Sequence, residues 1–313
     1  VSDEFSRIAT YFAPLAGAAG RGLLDDAAVF APPAGRELVL TVDQMLEGVH
    51  FLPADAPDLI ARKLLRRNLS DLAAMGATPL CYLLTTALPA HIGADWLAGF
   101  AQGLAQDQEA YGIQLIGGDS SSSLQHISLT VTMIGHVAPG AALARNGARP
   151  GDEIWVTGTI GDAALGLQAR LGKLADPTGY LTGRSALPSP RIGLALAGIV
   201  NAAIDISDGL LQDLGHMCKG AGLAARIEAA LVPASAPAAA HGNGFLQARL
   251  TDGDDYELLL AVPAEKAAAL RAACGALPVT RIGGFAAGPA AVTVVDPAGR
   301  PITFANHGWR HFQ

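Results

Sequence analysis

Apolar residues recur at helical spacing over 57–75, where Leu59, Ile60, Leu64, Leu65, Leu69 and Leu72 share one face and Gly76 follows as a stop. Lys63, Arg66 and Arg67 are expected on the solvated side of that helix. Further helices are predicted over 4–12 and 93–111. Short apolar or alternating runs predict strands over 28–30, 37–42, 80–87, 113–116 and 127–137. The second half repeats the alternation, with a strand over 153–156, a helix from Ala163, and another helix after the stiff Leu187-Pro188-Ser189-Pro190-Arg191 link. The apolar run Asn201-Ala202-Ala203-Ile204 gives way at 205–209 to a helix reaching about Lys219. A strand over 258–262, then a helix and two strands, complete an α/β (α+β) pattern.

A chain of 313 residues is too long for one typical core and suits two domains. Ala138-Pro139-Gly140 and Arg149-Pro150-Gly151 bracket a connector containing Arg145, which divides the chain into 1–138 and 139–313. Hydrophobic residues make up 50% and charged ones 16%, a globular balance far from disorder, and the net charge of -7 argues against a nucleic-acid partner. Gly, Pro or charge interrupts every apolar run well short of the roughly 20 residues of a membrane span. The first residues, Val1-Ser2-Asp3-Glu4-Phe5, lack the basic and apolar regions of a secretory leader, so a cytoplasmic location is expected. Cys81, Cys218 and Cys274 have no metal-type spacing and are expected to be buried, and the eight histidines form no paired zinc motif.

Candidate chemistry gathers around Asp205-Ile206-Ser207-Asp208-Gly209, where Asp205 is placed at a strand end, Ser207 as the N-cap of the next helix and Asp208 in its first turn. A capped helix with solvated carboxylates accounts for that stretch in isolation. Repetition points further. Asn68-Leu69-Ser70-Asp71-Leu72 has the same Ser-Asp step, and Asp25-Asp26, Asp43, Asp119 and Asp254-Asp255 each stand beside a glycine or close behind a strand-like run. Asp71 falls in the last turns of its helix, an unfavourable place for an anion without a compensating cation or donor. Gly117-Gly118-Asp119-Ser120-Ser121 is either a glycine-rich turn or a backbone able to approach a ligand closely. His50 reads as a loop histidine or a substrate contact, and Trp309 as a packing plug or a stacking face.

Carboxylates and glycine loops with few bases nearby fit Mg²⁺-dependent phosphate chemistry, since Mg²⁺ takes hard oxygen ligands. Two like charges about 4 Å apart at an effective dielectric near 20 repel by about 4 kcal/mol, so an acidic site holds polyphosphate only with divalent cations between them. The P-loop, protein-kinase and dinucleotide signatures are absent: five residues rather than four precede Gly172-Lys173, and Leu174 stands where a Ser or Thr is needed. A nucleotide- or cation-binding module without turnover shares these features.

Asn68-Leu-Ser-Asp-Leu-Ala-Ala-Met-Gly-Ala77, Gly117-Gly-Asp119, Val156-Thr-Gly-Thr-Ile-Gly-Asp162, Pro188-Ser-Pro-Arg191, Ala203-Ile-Asp-Ile-Ser-Asp-Gly209 and Asp255-Tyr-Glu-Leu258 form an ordered set. By it the chain resembles, over nearly its whole length, the thiamine-monophosphate kinases. They belong to a superfamily with aminoimidazole ribonucleotide synthetase and selenophosphate synthetase. The resemblance implies an N-terminal dimerising sheet domain and a C-terminal α/β domain. The implied activity is direct transfer of the ATP γ-phosphate to thiamine monophosphate by a Mg²⁺-dependent homodimer. It further implies Mg²⁺ ligands at Asp26, Thr41, Val42, Asp43, Asp71, Asp119, Asp205 and Asp208, with Thr41 and Val42 acting through side-chain or backbone oxygen. ATP contacts fall to Tyr111, Gly118, Asp119, Arg145 and Ser207, substrate contacts to His50, Asp254 and Trp309, and no covalent nucleophile is implied. The chain departs from the family pattern at Leu24, where Gly is usual, at Val42 for Thr and at Asp254 for Glu. A sister activity that activates an amide or selenide fits less well, because the N-terminal reactive Cys or Lys segment is missing.

Overall fold

The computed structural model describes residues 4–309. Readings that involve Val1, Ser2 and Asp3, or Arg310, His311 and Phe312, lie outside the described residues. The chain divides into two compact units, Val1–Leu72 with Ala77–Gly140 and Ala73–Gly76 with Ala141–Gln313.

The first unit starts with α1 (Glu4–Arg7), which runs on as a wider helical turn over Ile8–Phe12. Its sheet comprises β1 (Glu37–Leu46), β2 (Thr78–Pro89), β3 (Gln114–Ser123) and β4 (Ser128–Val137) in the order β1-β4-β2-β3. Helices α2 (Pro57–Ala74) and α3 (Ala94–Tyr111) supply the cover. On β4 the residues Leu129, Val131, Met133 and Gly135 alternate onto one face, and Leu72 of α2 lies so close there that a Cβ on Gly135 would stand 3.0 Å from its Cδ1. The backbones of α2 and α3 also approach closely, since a Cβ on Gly103 would fall 2.3 Å from the Asp58 carbonyl oxygen.

The basic side of α2 is not solvated. Lys63 and Arg66 are buried because each has a partner: Arg66 and Arg62 grip Asp107 of α3, with Nε to carboxylate distances of 2.7 and 3.0 Å, and the Lys63 ammonium donates to the His50 carbonyl at 3.0 Å. Asp107 is itself fully buried, so this ion cluster welds the two helices together. Two strand predictions also change. Residues 28–30 form no strand; Ala28 and Phe30 instead pack irregularly over Cys81, Ile116 and Ile134 on the other sheet face. The strands at 37 and 113 run on through Asp43 and through Gly117-Gly118-Asp119, because backbone pairing with β4 and β2 continues across them.

The second unit holds β5 (Glu153–Thr157), β6 (Ala202–Asp205), β7 (Leu223–Glu228), β8 (Leu258–Val262), β9 (Val279–Ala287), β10 (Ala291–Val295) and β11 (Pro301–Ile302) in one mixed sheet, ordered β11-β10-β7-β9-β5-β8-β6. Its helices are α4 (Asp162–Arg170), α5 (Tyr180–Ala186), α6 (Leu210–Ala221), α7 (Ala236–Ala239), α8 (Leu246–Thr251) and α9 (Ala267–Cys274). Every residue of β8 is buried, which explains why it reads as a continuous apolar run: Leu259 and Ala261 face α6, while Leu258, Leu260 and Val262 face α9. Each fully buried Leu contributes roughly 1.5–3 kcal/mol, so the two layers dominate the stability of this unit. The helix expected after Arg191 does not form, and the segment instead makes turns that pack Leu194, Leu196 and Val200 against the α9 side. Among the described residues no helix is long and apolar enough to cross a membrane, and all three cysteines are free and buried.

Candidate functional site

In the first unit, strand alternation points Thr41 and Asp43 toward α2, and both find partners on it. The Thr41 hydroxyl donates to Asp71, and Arg67 stands 3.6 Å from Asp43. Asp71 thus has the donor that its place near a helix C-terminus requires. Val42 lies on the opposite face and is 62% exposed. The register aligns Asp119 with Thr85, and Thr85 with Thr130 and Gln44, so Asp119 occupies that opposite face and is exposed. Gly118 sits against β2 so tightly that a Cβ would come within 1.8 Å of the Leu84 carbonyl oxygen. Asp26 is exposed in a loop whose turn places Arg21 and Leu23 at φ 52° and 58°, beside an Arg21–Asp25 pair at 2.7 Å. His50 accepts the Leu46 N–H at Nδ1 (3.0 Å), which puts the ring proton on Nε2. Tyr111 closes α3 with the Arg66 guanidinium 5.5 Å above its ring.

The second unit brings five predicted residues together. Asp205 ends β6, and the 206–209 loop is tied on one side to 254–257: the Asp254 N–H donates to the Ser207 carbonyl at 2.8 Å, and the Tyr256 N–H to the Ile206 carbonyl at 2.9 Å. On another side the Trp309 N–H donates to the Asp208 carbonyl at 3.0 Å, and Gln212 Nε2 bridges the Asp208 carboxylate (2.9 Å) and the Trp309 carbonyl (2.7 Å). Asp254 and Tyr256 both adopt left-handed backbone, φ 68° and 51°, at a cost of order 1–3 kcal/mol each. The Tyr256 hydroxyl donates to Asp254 at 3.0 Å and aims that carboxylate. Trp309 is half exposed. Arg145 is exposed in a turn pinned to β6 by the Ala203 N–H to Ala144 carbonyl bond at 3.3 Å.

Ser207 does not cap α6. Gly209 holds that position, and the amides of Ser207, Asp208 and Gly209 all donate to Oδ2 of Asp213, one turn into the helix, at 3.1, 3.1 and 3.2 Å. Burial pushes the Asp213 carboxyl well above the ordinary carboxylate range, and the neighbouring Asp205 and Asp208 push it further, against the amides. Asp208, Asp213 and His216 can each bring one ligand atom within 4.8 Å of the others. The trio offers two carboxylate oxygens and one imidazole nitrogen. Residue type alone does not single out Asp213; its place between Leu210 and Met217 on the apolar helical face is the signal it carries.

The other motifs converge on buried ion pairs. Glu257 accepts Arg191 Nε at 2.6 Å, Arg184 Nη2 at 3.1 Å and the Thr157 hydroxyl at 2.7 Å, with a second Arg191 contact to Oε1. Gly158 lies so close that a Cβ would stand 2.2 Å from Oε1 of Glu257. Asp255, fully buried, accepts the Gly161 and Ala163 amides at 2.7 and 3.3 Å at the start of α4. Burial pushes its carboxyl up to about 8; the Gly161 amide and Arg184 pull it down and Asp162 raises it. The native state therefore holds this proton more tightly than the unfolded chain, and its stabilising effect is lost as pH rises toward 8. Urea unfolding of the wild type is expected to show stability falling by roughly 1 kcal/mol per unit between pH 6 and 8. Asp255→Asn is expected to reduce that slope, leaving the share that the raised Asp213 carboxyl contributes with the same sign, and an unchanged slope in the variant would assign it wholly to other groups.

Both units have counterparts. The domain family described as AIR synthase related protein, N-terminal domain, matches residues 24–137, and its C-terminal domain matches 149–296. Across the full length the chain is 40% identical to a thiamine-monophosphate kinase of Escherichia coli strain K12, covering 99% of this chain and 98% of that one. It is 39% identical to the Caulobacter vibrioides enzyme of the same name, covering 98% and 90%. The chain belongs to the thiamine-monophosphate kinase family. The crystal structure of the Stenotrophomonas maltophilia K279a kinase superposes with a TM-score of 0.80 at 39% identity, covering 90% and 91%. A structure described as AaThiL complexed with AMPPCP and TMP superposes at 0.79 with 30% identity, covering 99% and 97%.

Proposed function

We propose that this chain transfers the γ-phosphate of ATP directly, in line, to the phosphate of thiamine monophosphate, giving thiamine diphosphate in a Mg²⁺-dependent reaction. The observation that carries the reading is the 205–209 loop, which follows Asp205 at the end of β6 and in which Ser207 is tied to Asp254 and Asp208 to Trp309. Family membership supports the substrate pair, and a related structure is described with AMPPCP and TMP. The acceptor phosphate is itself the nucleophile, so no side chain needs to form a covalent intermediate. Bound Mg²⁺ would supply the neutralisation that two anionic reactants require.

In this reading Asp26, Thr41, Val42 through its carbonyl, Asp43, Asp71 and Asp119 hold Mg²⁺ from the first unit, and Asp205 and Asp208 from the second. Thr41 and Asp43 face α2 while Asp119 lies on the other sheet face, which favours several ions over one. Tyr111, Gly118, Arg145 and Ser207 contact ATP, and His50, Asp254 and Trp309 contact the thiamine monophosphate. Asp254 reaches one methylene less far than Glu, and the Tyr256 hydroxyl bond fixes where it points. A homodimer is supported by the apolar row Leu38, Leu40 and Val42, left exposed along the edge strand β1. A cytoplasmic location, where ATP and Mg²⁺ are at hand, completes the reading, and cell fractionation tests it.

Mass spectrometry after incubation with ATP, Mg²⁺ and thiamine monophosphate is expected to show thiamine diphosphate and ADP in equal amounts, and light scattering about twice 31.9 kDa. Absence of thiamine diphosphate with all components present rejects the activity. Release of ADP only with ribonucleotide or selenide acceptors would move the chain to a sister reaction, and a 31.9 kDa species would reject the dimer.

A further inference from the structure

We propose that Asp213 is a positioning residue for phosphoryl transfer: its carboxyl oxygen gathers three successive amides and so sets the loop that presents Ser207 and Asp208. The inference rests on the kinase reading for its functional consequence and on geometry for its mechanism. Asp213 is 2% exposed on the apolar face of α6, between Leu210, Leu214 and Met217. A polar group in that setting needs partners, and Oδ2 finds them in the N–H groups of Ser207, Asp208 and Gly209. Three consecutive amides aimed at one point form a concavity of the kind that elsewhere receives an anion. Here the chain fills it with its own side chain.

Because those amides turn inward, the carbonyls of the same loop are available to other partners. The Ser207 carbonyl receives the Asp254 N–H, and the Asp208 carbonyl receives the Trp309 N–H. One carboxyl group therefore governs the placement of two metal- and nucleotide-contacting residues and of both substrate-contacting residues in this unit. The loop has little room to relax into another arrangement. A Cβ on Gly209, at φ 120°, would meet the Thr251 carbonyl oxygen at 2.5 Å, and one on Gly253 would meet the Ser207 carbonyl oxygen at 1.8 Å.

The test uses the full chain, with Leu214→Ala as a control that damages the same buried helix face without touching the amides. Hydrogen exchange of peptides spanning 205–211, read without nucleotide, metal or substrate, is expected to quicken at least ten-fold in Asp213→Ala and to stay near the wild-type rate in Leu214→Ala. With ATP, Mg²⁺ and thiamine monophosphate, kcat is expected to fall about 100-fold in Asp213→Ala, the scale of an ångström of misplacement at the reacting groups. Asp213→Asn, which keeps one acceptor oxygen in place, is expected to recover to within about ten-fold of wild type on both readouts. Should Asp213→Ala fail to fold, Asp213→Ser, whose shorter hydroxyl withdraws from the amides, takes its place. Exchange and kcat in the alanine variant matching the Leu214→Ala control would overturn the proposal, as would equal losses in Asp213→Asn and Asp213→Ala. The exchange arm decides the loop's placement whatever the acceptor is; a wild-type protein without turnover rejects the kinase reading instead.

Discussion

Asp208→Asn is expected to lower kcat/KM for thiamine monophosphate phosphorylation by about 10³-fold, equivalent to about 4 kcal/mol of transition-state stabilisation. The substitution keeps the size of the side chain and an oxygen able to accept the Gln212 amide, so the local scaffold is retained. What disappears is one formal negative charge where Asp205, Asp208 and Asp213 crowd together. A cation held there loses a hard anionic ligand, and electrostatic stabilisers of charge transfer are worth about 10²–10³ each when removed singly. Relief of mutual repulsion offsets any lost packing, so Tm is expected to hold within about 2 °C. Steady-state kinetics at several Mg²⁺ concentrations, alongside a thermal melt, checks both statements. Wild-type kinetics in the variant would remove Asp208 from the metal-binding group; a collapse in Tm would make its role structural.

Glu257→Ala is expected to act in the opposite way, by unfolding the second unit more readily. Glu257 is 1% exposed and neutralises both Arg184 and Arg191, while its Oε2 also accepts the Thr157 hydroxyl. Truncation leaves two guanidinium groups facing each other without their shared anion, a change that costs about 3–5 kcal/mol when such a cluster is buried. For a unit of this size each kcal/mol shifts Tm by about 2–4 °C, so a fall of about 10 °C is expected by calorimetry. A shift under about 2 °C would mean that water reaches the arginines and the cluster contributes little.

Much of the architecture was legible because burial on one side or on both leaves different marks. The β8 run Leu258-Leu259-Leu260-Ala261-Val262 reads as apolar throughout because layers cover both of its faces. The amphipathic α2 was equally visible, yet its basic residues misled. Nothing local in Lys63 or Arg66 shows that Asp107, 41 positions further along from Arg66, waits to receive it. Long-range pairing also hid the strand extensions through Asp43 and Gly118, where composition signals a loop but β4 and β2 supply hydrogen-bond partners. The acidic loop at 205–209 was found from its residue types, whereas its organiser was not. Ser207 had the right chemistry for a cap, but Asp213 outcompetes it by taking three amides at once. The Pro188-Ser189-Pro190-Arg191 and Asp255-Tyr256-Glu257 motifs carry the family resemblance in the sequence, and the structure joins them through the Arg191–Glu257 ion pair.

Gly253 couples two design problems that an engineer would prefer to keep apart. Its bare α-carbon lies against the peptide of Ser207, with no space for even a methyl group. A graft of the loop around residue 254 must therefore carry the 205–209 segment with it as a single cassette, and in the proposed reading a change aimed at the acceptor would otherwise displace the donor as well.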